Sequence, residues 1–314
     1  MGNAPLQVPE KVRHKAATSG EAGRRWLADL PRQVADIERR WAITVGQPSR
    51  NGTEAFVAEA RTHDGQDVVL KLVIPGADPA RQELRVLHAA QGRGYARLIR
   101  ADEAENVLLL ERLGPQLHAL HLSESRQMEI ICATLHEAWM PPPEGPPFTT
   151  GADRAAELVC LIGTCRSSSE APCSSQTIDR ALSCAETRRR AFNPAQSVLV
   201  HGDAHQWNTL VASGSITGFK FIDPDGAFAE PAFDLAIPMR EWGSVLPTGD
   251  LLELGRQRCR LLAKFSGVER QPIWEWAIVQ CVSNGILLTQ VGAYDAASVE
   301  FAMADAWAPA GIDG

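Results

Sequence analysis

Asp203, Asn208 and Asp223 are the residues of this chain whose types and spacing imply chemistry most directly. The first two lie five positions apart within HGDAHQWN (201–208), and the third follows fifteen positions later within FIDPDG (221–226). A carboxylate that accepts a proton, with an amide and a second carboxylate that hold a hard cation against phosphate oxygens, is a set suited to phosphoryl transfer from a nucleotide.

The elements around these residues account for the spacing. Residues 197–200 (SVLV) read as a short buried strand entering the loop. Residues 209–212 and 216–222 read as two strands separated by Ser213, Gly214 and Ser215, a hairpin signal. A hairpin returns the end of its second strand to the start of its first, so Asn208 and Asp223 come within reach of one cation. The same Asp-to-Asn distance occurs in the protein-kinase pattern H-R-D-L-x-x-x-N, with D-F-G as its downstream metal aspartate. Taken singly, GD, HxxxH and DPDG could be mere turns, because Asp, Asn, Gly and Pro favour turns; both segments in order, at this separation, weigh against that. No third His or Cys stands at ligand spacing, so His201 and His205 read as residues that fix the loop's shape rather than as zinc ligands.

A nucleotide side is also readable. Lys71 interrupts the apolar strand DVVLKLVI (67–74), and a cation in such a run needs a partner because burying it unpaired is costly. Nucleotide phosphates and a carboxylate on the following helix are the candidates, and Glu83 is the best placed carboxylate. Residues 46–53 (GQPSRNGT) occupy the phosphate-covering position without G-x-G-x-x-G; Ser49, Asn51, Gly52 and Thr53 offer backbone and hydroxyl donors. Glu111 to Leu113 would lie against an adenine through backbone groups. No Walker A motif is present, which disfavours a P-loop enzyme.

Stepping along the 314 residues, positions 1 to about 20 are polar and read as a loosely held arm. Residues 20–40 carry Trp26, Leu27, Leu30, Val34 and Ile37 at helical steps, with an interruption expected near Pro31. Strands are expected at 41–45, 54–61, 67–74, 96–102 and 107–111, with a Asp64-Gly65 hairpin turn and a helix at 79–91. Helices are expected at 124–139, 152–165, 177–190, 231–241, 248–265 and 271–292, with loops at 141–153 and 167–175. The implied divisions are an arm and helix at 1–40, a nucleotide-binding lobe at 41–113 and a helical lobe at 114–314.

A formal net charge of -7 argues against nucleic acid as the main partner. The seven cysteines include no C-x-x-C and read as reduced packing residues. The N-terminus shows no signal peptide, its MGN start lacks the downstream Ser or Thr of a myristoylation site, and no apolar run reaches spanning length. The expectation is a cytoplasmic protein, a monomer or weak dimer, with no membrane partner.

With these residues in place, the chain resembles the aminoglycoside phosphotransferase family, closest to the branch of streptomycin 6-phosphotransferases and hydroxyurea-type antibiotic kinases. The matching stretches are EAGRRWLADLP (21–31), VVLKL (68–72), LLLERL (108–113), LHEAWMPPP from Leu135, HGDAHQWN, and FIDPDGAFAEPAFDLA (221–236). The resemblance implies an α+β, bilobal protein-kinase-like fold with a small antiparallel β-sheet N-lobe carrying one helix and a mostly helical C-lobe. It implies ATP or GTP with Mg²⁺, and phosphorylation of an alcohol group on a small hydroxylated antibiotic. Asp203 would be the base, Asn208 and Asp223 the metal ligands, Lys71 the phosphate contact and Asp234 a brace for the catalytic loop. Trp207, where a small residue is common, would narrow the site, and residues 160–184 show no clear match.

For the acceptor, the chain has no Lys or Arg after Arg270 but carries Glu275, Asp295, Glu300, Asp305 and Asp313. An acidic wall would favour a cationic acceptor, and Trp242, Trp274 and Trp276 would offer stacking faces. Asp225 and Glu230, flanking the metal aspartate, are the acids placed to touch it. The competing expectations are a kinase of another small hydroxylated metabolite (hydroxyurea-, choline- or sugar-like) and a nucleotide-binding pseudokinase. A protein kinase is disfavoured because no A-P-E follows Asp223.

Overall fold

The computed structural model describes residues 6–49, 52, 54–75, 79–144, 147–166, 173–242 and 247–312. Packing divides the chain into two compact units, Met1–Gly114 and Pro115–Gly314.

The first unit opens with helices α1 (Glu10–Thr18) and α2 (Gly20–Trp41). The expected loose arm is instead ordered from residue 10. Val12 and Ala16 are fully buried and join Trp26, Leu30, Val34, Ile37 and Trp41 in one core. Only two apolar side chains fasten α1, too few to show as a period in the sequence. Pro31 does not interrupt α2. A mid-helix proline costs roughly 3 kcal/mol, and the buried stripe running through Leu30 and Val34 offsets it.

These helices cover one face of an antiparallel sheet ordered β1-β2-β3-β5-β4. Its strands are β1 (Ile43–Pro48), β2 (Ala55–Thr62), β3 (Asp67–Val73), β4 (Leu98–Asp102) and β5 (Val107–Glu111), and α3 (Pro79–Ala90) lies between β3 and β4. The Asp64-Gly65 turn joins β2 to β3 with Gly65 at φ +87°, which a side chain would resist. Period-two alternation sends Val68, Leu70 and Leu72 of β3 into the core with α2. Lys71 belongs to the opposite face.

The second unit is mostly helical. It contains α4 (Glu124–Ala138), α5 (Gly151–Arg166), α6 (Ser175–Ala191), β6 (Val198–Val200), β7 (Thr209–Val211), β8 (Phe219–Phe221) and β9 (Ala227–Ala229). Then follow α7 (Ala232–Leu235), α8 (Ile237–Arg240), α9 (Leu251–Ser266), α10 (Arg270–Gln290) and α11 (Tyr294–Trp307). Ser123, Ser174 and Asp250 cap α4, α6 and α9 by accepting backbone N–H bonds. The single helix expected at 231–241 is two short ones, with Pro238 in the first turn of the second, where its missing N–H does least harm.

Helix α11 and strand β9 are additions to the expected elements. α11 packs on α9 and α10, where Gly255 and Gly285 leave room for Trp307 and Phe301 and a Cβ on either glycine would collide. The loop expected at 167–175 lies largely outside the described residues. None of the seven cysteines forms a disulfide among the described residues; five are buried, but Cys160 on α5 is exposed. Among the described residues no helix is long and apolar enough to cross a membrane.

Candidate active site

The loop carrying Asp203 hangs between two small antiparallel pairs. β6 pairs with β9, Val200 opposite Ala227, and the Gly226 N–H extends this contact by donating to His201 O at 3.0 Å. β7 pairs with β8, Thr209 opposite Phe221, and the Ile222 N–H donates to Asn208 O at 3.0 Å. The hairpin ladder therefore runs one residue beyond its strands, which sets Asp223 beside Asn208 as the spacing predicts. Asp223 then leaves the strand at φ +56°, a left-handed conformation that Asp tolerates better than most residues.

Asp203, with a side chain 40% exposed, is held from two sides. Asn208 Nδ2 donates to Asp203 O at 3.1 Å and to Oδ2 at 3.0 Å. His205 Nε2 lies 3.2 Å from the same Oδ2. The His205 Nδ1 accepts the N–H groups of Trp207 and Asn208, both at 3.3 Å, which places the ring proton on Nε2. Burial acts against charge on both groups, but their pairing overrides it. Asp203 is held below the ordinary carboxylate range and His205 above the ordinary imidazole value.

His201 serves the backbone. Its Nδ1 accepts the Asp203 N–H at 3.0 Å and its Nε2 meets Ile222 O at 3.0 Å. Asp234 is fully buried on α7 and accepts the N–H groups of His201 (2.9 Å) and Gly202 (2.7 Å) and the Trp139 indole N–H (2.9 Å). Burial pushes its carboxyl above the ordinary range, and these donors pull against that push. Gly202 sits at φ +90°, and a Cβ there would come within 2.9 Å of the Asp225 Cβ. Trp207 places its ring 5.5 Å from that of His205, edge to face, and 5.1 Å from that of exposed His118. It buttresses the imidazole that holds Asp203. HGDAHQWN contains Trp207 and His205 but gives no sign of the contact with His118, which lies far away in sequence.

In the first unit, Lys71 Nζ meets both carboxylate oxygens of Glu83 at 2.8 Å, with the two residues only 8% and 5% exposed. Ser49 is half-buried and its N–H donates to Val57 O at 2.8 Å. Asn51 and Thr53 lie outside the described residues. Glu111 ends β5 with its Oε1 accepting the Arg97 N–H at 2.7 Å, so its carboxylate serves the sheet. Leu113 follows β5 and is half-buried.

The residues expected at an acceptor site part company. Asp225 lies on the wall of a cavity of about 210 Å³ that also touches Gly202. Its carboxylate opens to solvent, yet enclosure by the surrounding chain and the charge of Asp203 raise its pKa. Glu230 is instead engaged at both oxygens, by Trp276 Nε1 at 2.8 Å and Arg188 at 3.3 Å. Glu275 is buried, pairs with Arg188 at 2.7 Å and accepts from Gln271 at 2.8 Å. Trp274 and Trp276 are core residues, and Trp242 is half-buried with Arg258 over its ring. Glu300 is buried against Arg240, and Asp305 accepts from Ser174 N–H and Thr177 Oγ1. The expected acidic wall is thus largely internal pairing; Asp313 lies outside the described residues.

What does line the cavity comes from α5 (Arg154, Glu157, Leu158), the α7–α8 segment (Phe233, Ile237, Arg240) and α10 (Gln280, Ser283, Asn284, Leu287). Arg154 pairs with Glu157 at 3.0 Å, and Arg240 contacts both Glu241 and Glu300 at 2.8 Å.

Comparison with known proteins gives the family and the fold. A family model described as aminoglycoside/hydroxyurea antibiotic resistance kinase matches residues 40–292. Streptomycin 6-kinase of Streptomyces griseus is 26% identical over 306 residues, covering 96% of this chain and 97% of that protein. Hydroxyurea phosphotransferase of Kitasatospora aureofaciens is 29% identical over 294 residues, covering 90% and 80%. Among solved structures, an amicoumacin kinase in complex with AMP-PNP, Ca²⁺ and Ami shares the fold at a TM-score of 0.59 and 14% identity, covering 89% of this chain and 96% of that one. The loop that presents Asp203, the hairpin that joins Asn208 to Asp223 and the match over residues 40–292 converge: the chain belongs to the aminoglycoside/hydroxyurea antibiotic resistance kinase family.

Proposed function

We propose that the protein transfers the γ-phosphoryl group of ATP or GTP to a hydroxyl of a small cationic antibiotic, an aminoglycoside of the streptomycin type. The observation that carries this reading is the charge around the cavity beside the catalytic loop. Arg154, Arg240, Glu157 and Asp225 are the charged residues that line it; Arg154 pairs with Glu157 and Arg240 with Glu241 and Glu300 behind the wall, while Asp225 forms no salt bridge among the described residues. A carboxylate without a paired cation, set in a recess of limited solvent, attracts a cation.

Asp203 receives the acceptor's proton. Its Oδ2 is engaged by Asn208 and His205, which leaves Oδ1 for the hydroxyl. Asn208 turns its Nδ2 toward Asp203, so its Oδ1 is the atom available to a cation. With the Asp223 carboxylate this makes an all-oxygen donor pair suited to Mg²⁺, the remaining positions falling to phosphate and water. Bound Mg²⁺ would neutralise charge on the phosphate oxygens. Lys71, oriented by Glu83, contacts the phosphates; Ser49 belongs to the covering loop, and the Glu111–Leu113 backbone meets the base.

Asp223→Asn is expected to abolish turnover while part of the Mg²⁺-free nucleotide affinity survives through Lys71 and the base contacts. Calorimetric titration with and without Mg²⁺ checks this; equal Mg²⁺ dependence in variant and wild type would remove Asp223 from the metal site.

The acceptor assignment is tested by resistance of a susceptible host across aminoglycosides and by steady-state kinetics. Asp225→Asn is expected to raise the streptomycin KM about tenfold or more, leaving the ATP KM in place. The effect should shrink as salt screens charges beyond about 8 to 10 Å. Glu230→Gln should lower stability rather than change either KM, because it disturbs the Arg188 and Trp276 bonds. An acceptor KM unmoved by Asp225→Asn, at low salt as well as high, sinks the cationic reading.

A further inference from the structure

We propose that Gln280 reads a cationic donor on the bound acceptor, its side-chain Oε1 accepting an N–H from a protonated amine or guanidinium. This rests on the cavity beside Gly202 and Asp225 being the acceptor site.

Gln280 lies on α10, is 6% exposed and lines that cavity. Its Nε2 donates to Phe233 O at 3.0 Å, which fixes the amide orientation and leaves Oε1 as the other end. That Oε1 is buried and has no hydrogen-bond partner among the described residues. A buried acceptor left unpaired is costly, and a native structure that keeps one calls for a ligand or a trapped water to satisfy it.

The surroundings decide which ligand. Ser283 and Asn284 stand three and four residues further along the same helix and line the same cavity. The Ser283 hydroxyl donates back to Gln280 O, and the Asn284 amide donates to Glu300 Oε1. The Ser283 hydroxyl and one of the two Asn284 amide N–H groups are therefore engaged inside the protein. One buried donor of the lining, Arg240 Nε, also lacks a partner among the described residues, but its guanidinium is paired with Glu241 and Glu300 and Arg154 is paired with Glu157, whereas the lining carboxylate Asp225 forms no salt bridge among them. Gln280 Oε1 and Asp225 together call for a group that brings N–H donors and positive charge, and a carboxylate or phosphate group would not fit. At about 210 Å³ the cavity is smaller than those that enclose a drug-sized molecule. It takes one amino- or guanidino-substituted ring, and the rest of the acceptor lies outside.

Streptomycin and kanamycin serve as cationic probes and hydroxyurea as a neutral one, with affinity read by calorimetry on the full chain and phosphate transfer read separately. Gln280→Leu is expected to weaken binding of the cationic probes about tenfold or more, the loss of one charge-assisted hydrogen bond, with ATP·Mg²⁺ affinity unchanged. Gln280→Glu, nearly isosteric, should bind them as tightly as wild type or more tightly, and it serves as the second variant should Gln280→Leu fold poorly. Equal cation affinity in wild type and Gln280→Leu, weaker cation binding in Gln280→Glu, or no binding of either cationic probe to wild type overturns the proposal. If hydroxyurea is then phosphorylated in an Asp203-dependent manner, the protein is still a kinase and only the role of Gln280 falls. Cation binding that depends on Gln280 without any phosphate transfer would be the reverse: the site assignment stands and the catalytic reading fails.

Discussion

Asp203→Ala is expected to lose about two to four orders of magnitude in kcat, the range for removing a positioned general base, with little change in the KM for nucleotide. Asp203 has a partly exposed side chain tied to Asn208 and His205. Its loss should therefore leave the fold intact, and circular dichroism and the melting temperature should match wild type. The variant is informative for a second reason. Asn208 Nδ2 also bonds Asp203 O, a backbone atom that the substitution keeps, so the Asn208 amide holds part of its orientation. Binding of Mg²⁺ and nucleotide should consequently survive where turnover does not. A purified variant that phosphorylates its acceptor at nearly the wild-type rate would show that the proton goes elsewhere.

Asp234→Ala should do the opposite: it should damage stability and activity together. The carboxylate is fully buried and receives two backbone N–H bonds and one indole N–H bond. Removing it leaves three buried donors without acceptors, and each stranded group costs about 1 to 3 kcal/mol. Allowing for relaxation and entering water, a loss of about 3 to 5 kcal/mol is expected. At roughly 2 to 4 °C per kcal/mol for a chain of this order of size, the melting temperature should fall by about 6 °C or more. His201 and Gly202 directly precede Asp203, so what remains folded should turn over slowly even below the melting point. Thermal denaturation paired with kcat on the folded fraction checks both halves. A variant that melts with wild type would mean that the loop is braced by other contacts.

The parts of the site that the sequence revealed are those built from local spacing. Asn208 and Asp223 meet because a hairpin closes on itself, and Lys71 stands out because a cation in an apolar strand requires a partner. Such constraints act within a few residues of chain. The acidic wall failed as an expectation for the complementary reason. Glu275 and Glu300 look unbalanced in a stretch free of Lys and Arg, but Arg188 and Arg240 reach them from elements far earlier in the chain. Charge balance is a property of space, and a one-dimensional count cannot assign it. Helix α11 was missed because it is buried on several sides, which blurs the single apolar stripe from which helices are recognised. The layout of strands and α3 in the first unit was clear because β3 and its neighbours carry long apolar runs bounded by turn residues. Trp207 was expected to narrow the site rather than to pack on His205, and Gln280 was beyond reach, since its oxygen's lack of a partner exists only in three dimensions.

The cavity draws its lining chiefly from α5, the α7–α8 segment and α10, whereas Asp203, Asn208 and Asp223 are fixed by two short strand pairs and by Asp234. Substitutions at Glu157, Leu158, Ser283 or Leu287 can therefore accumulate without removing a hydrogen bond described for Asp203 or Asn208. On the proposed function, a lineage carrying this scaffold would drift from one acceptor to another by single steps that each leave a working catalyst. On that reading, surveillance of such genes would do better to track those helical positions than the HGD and DPD segments, because a spectrum set by the cavity would change at the former first.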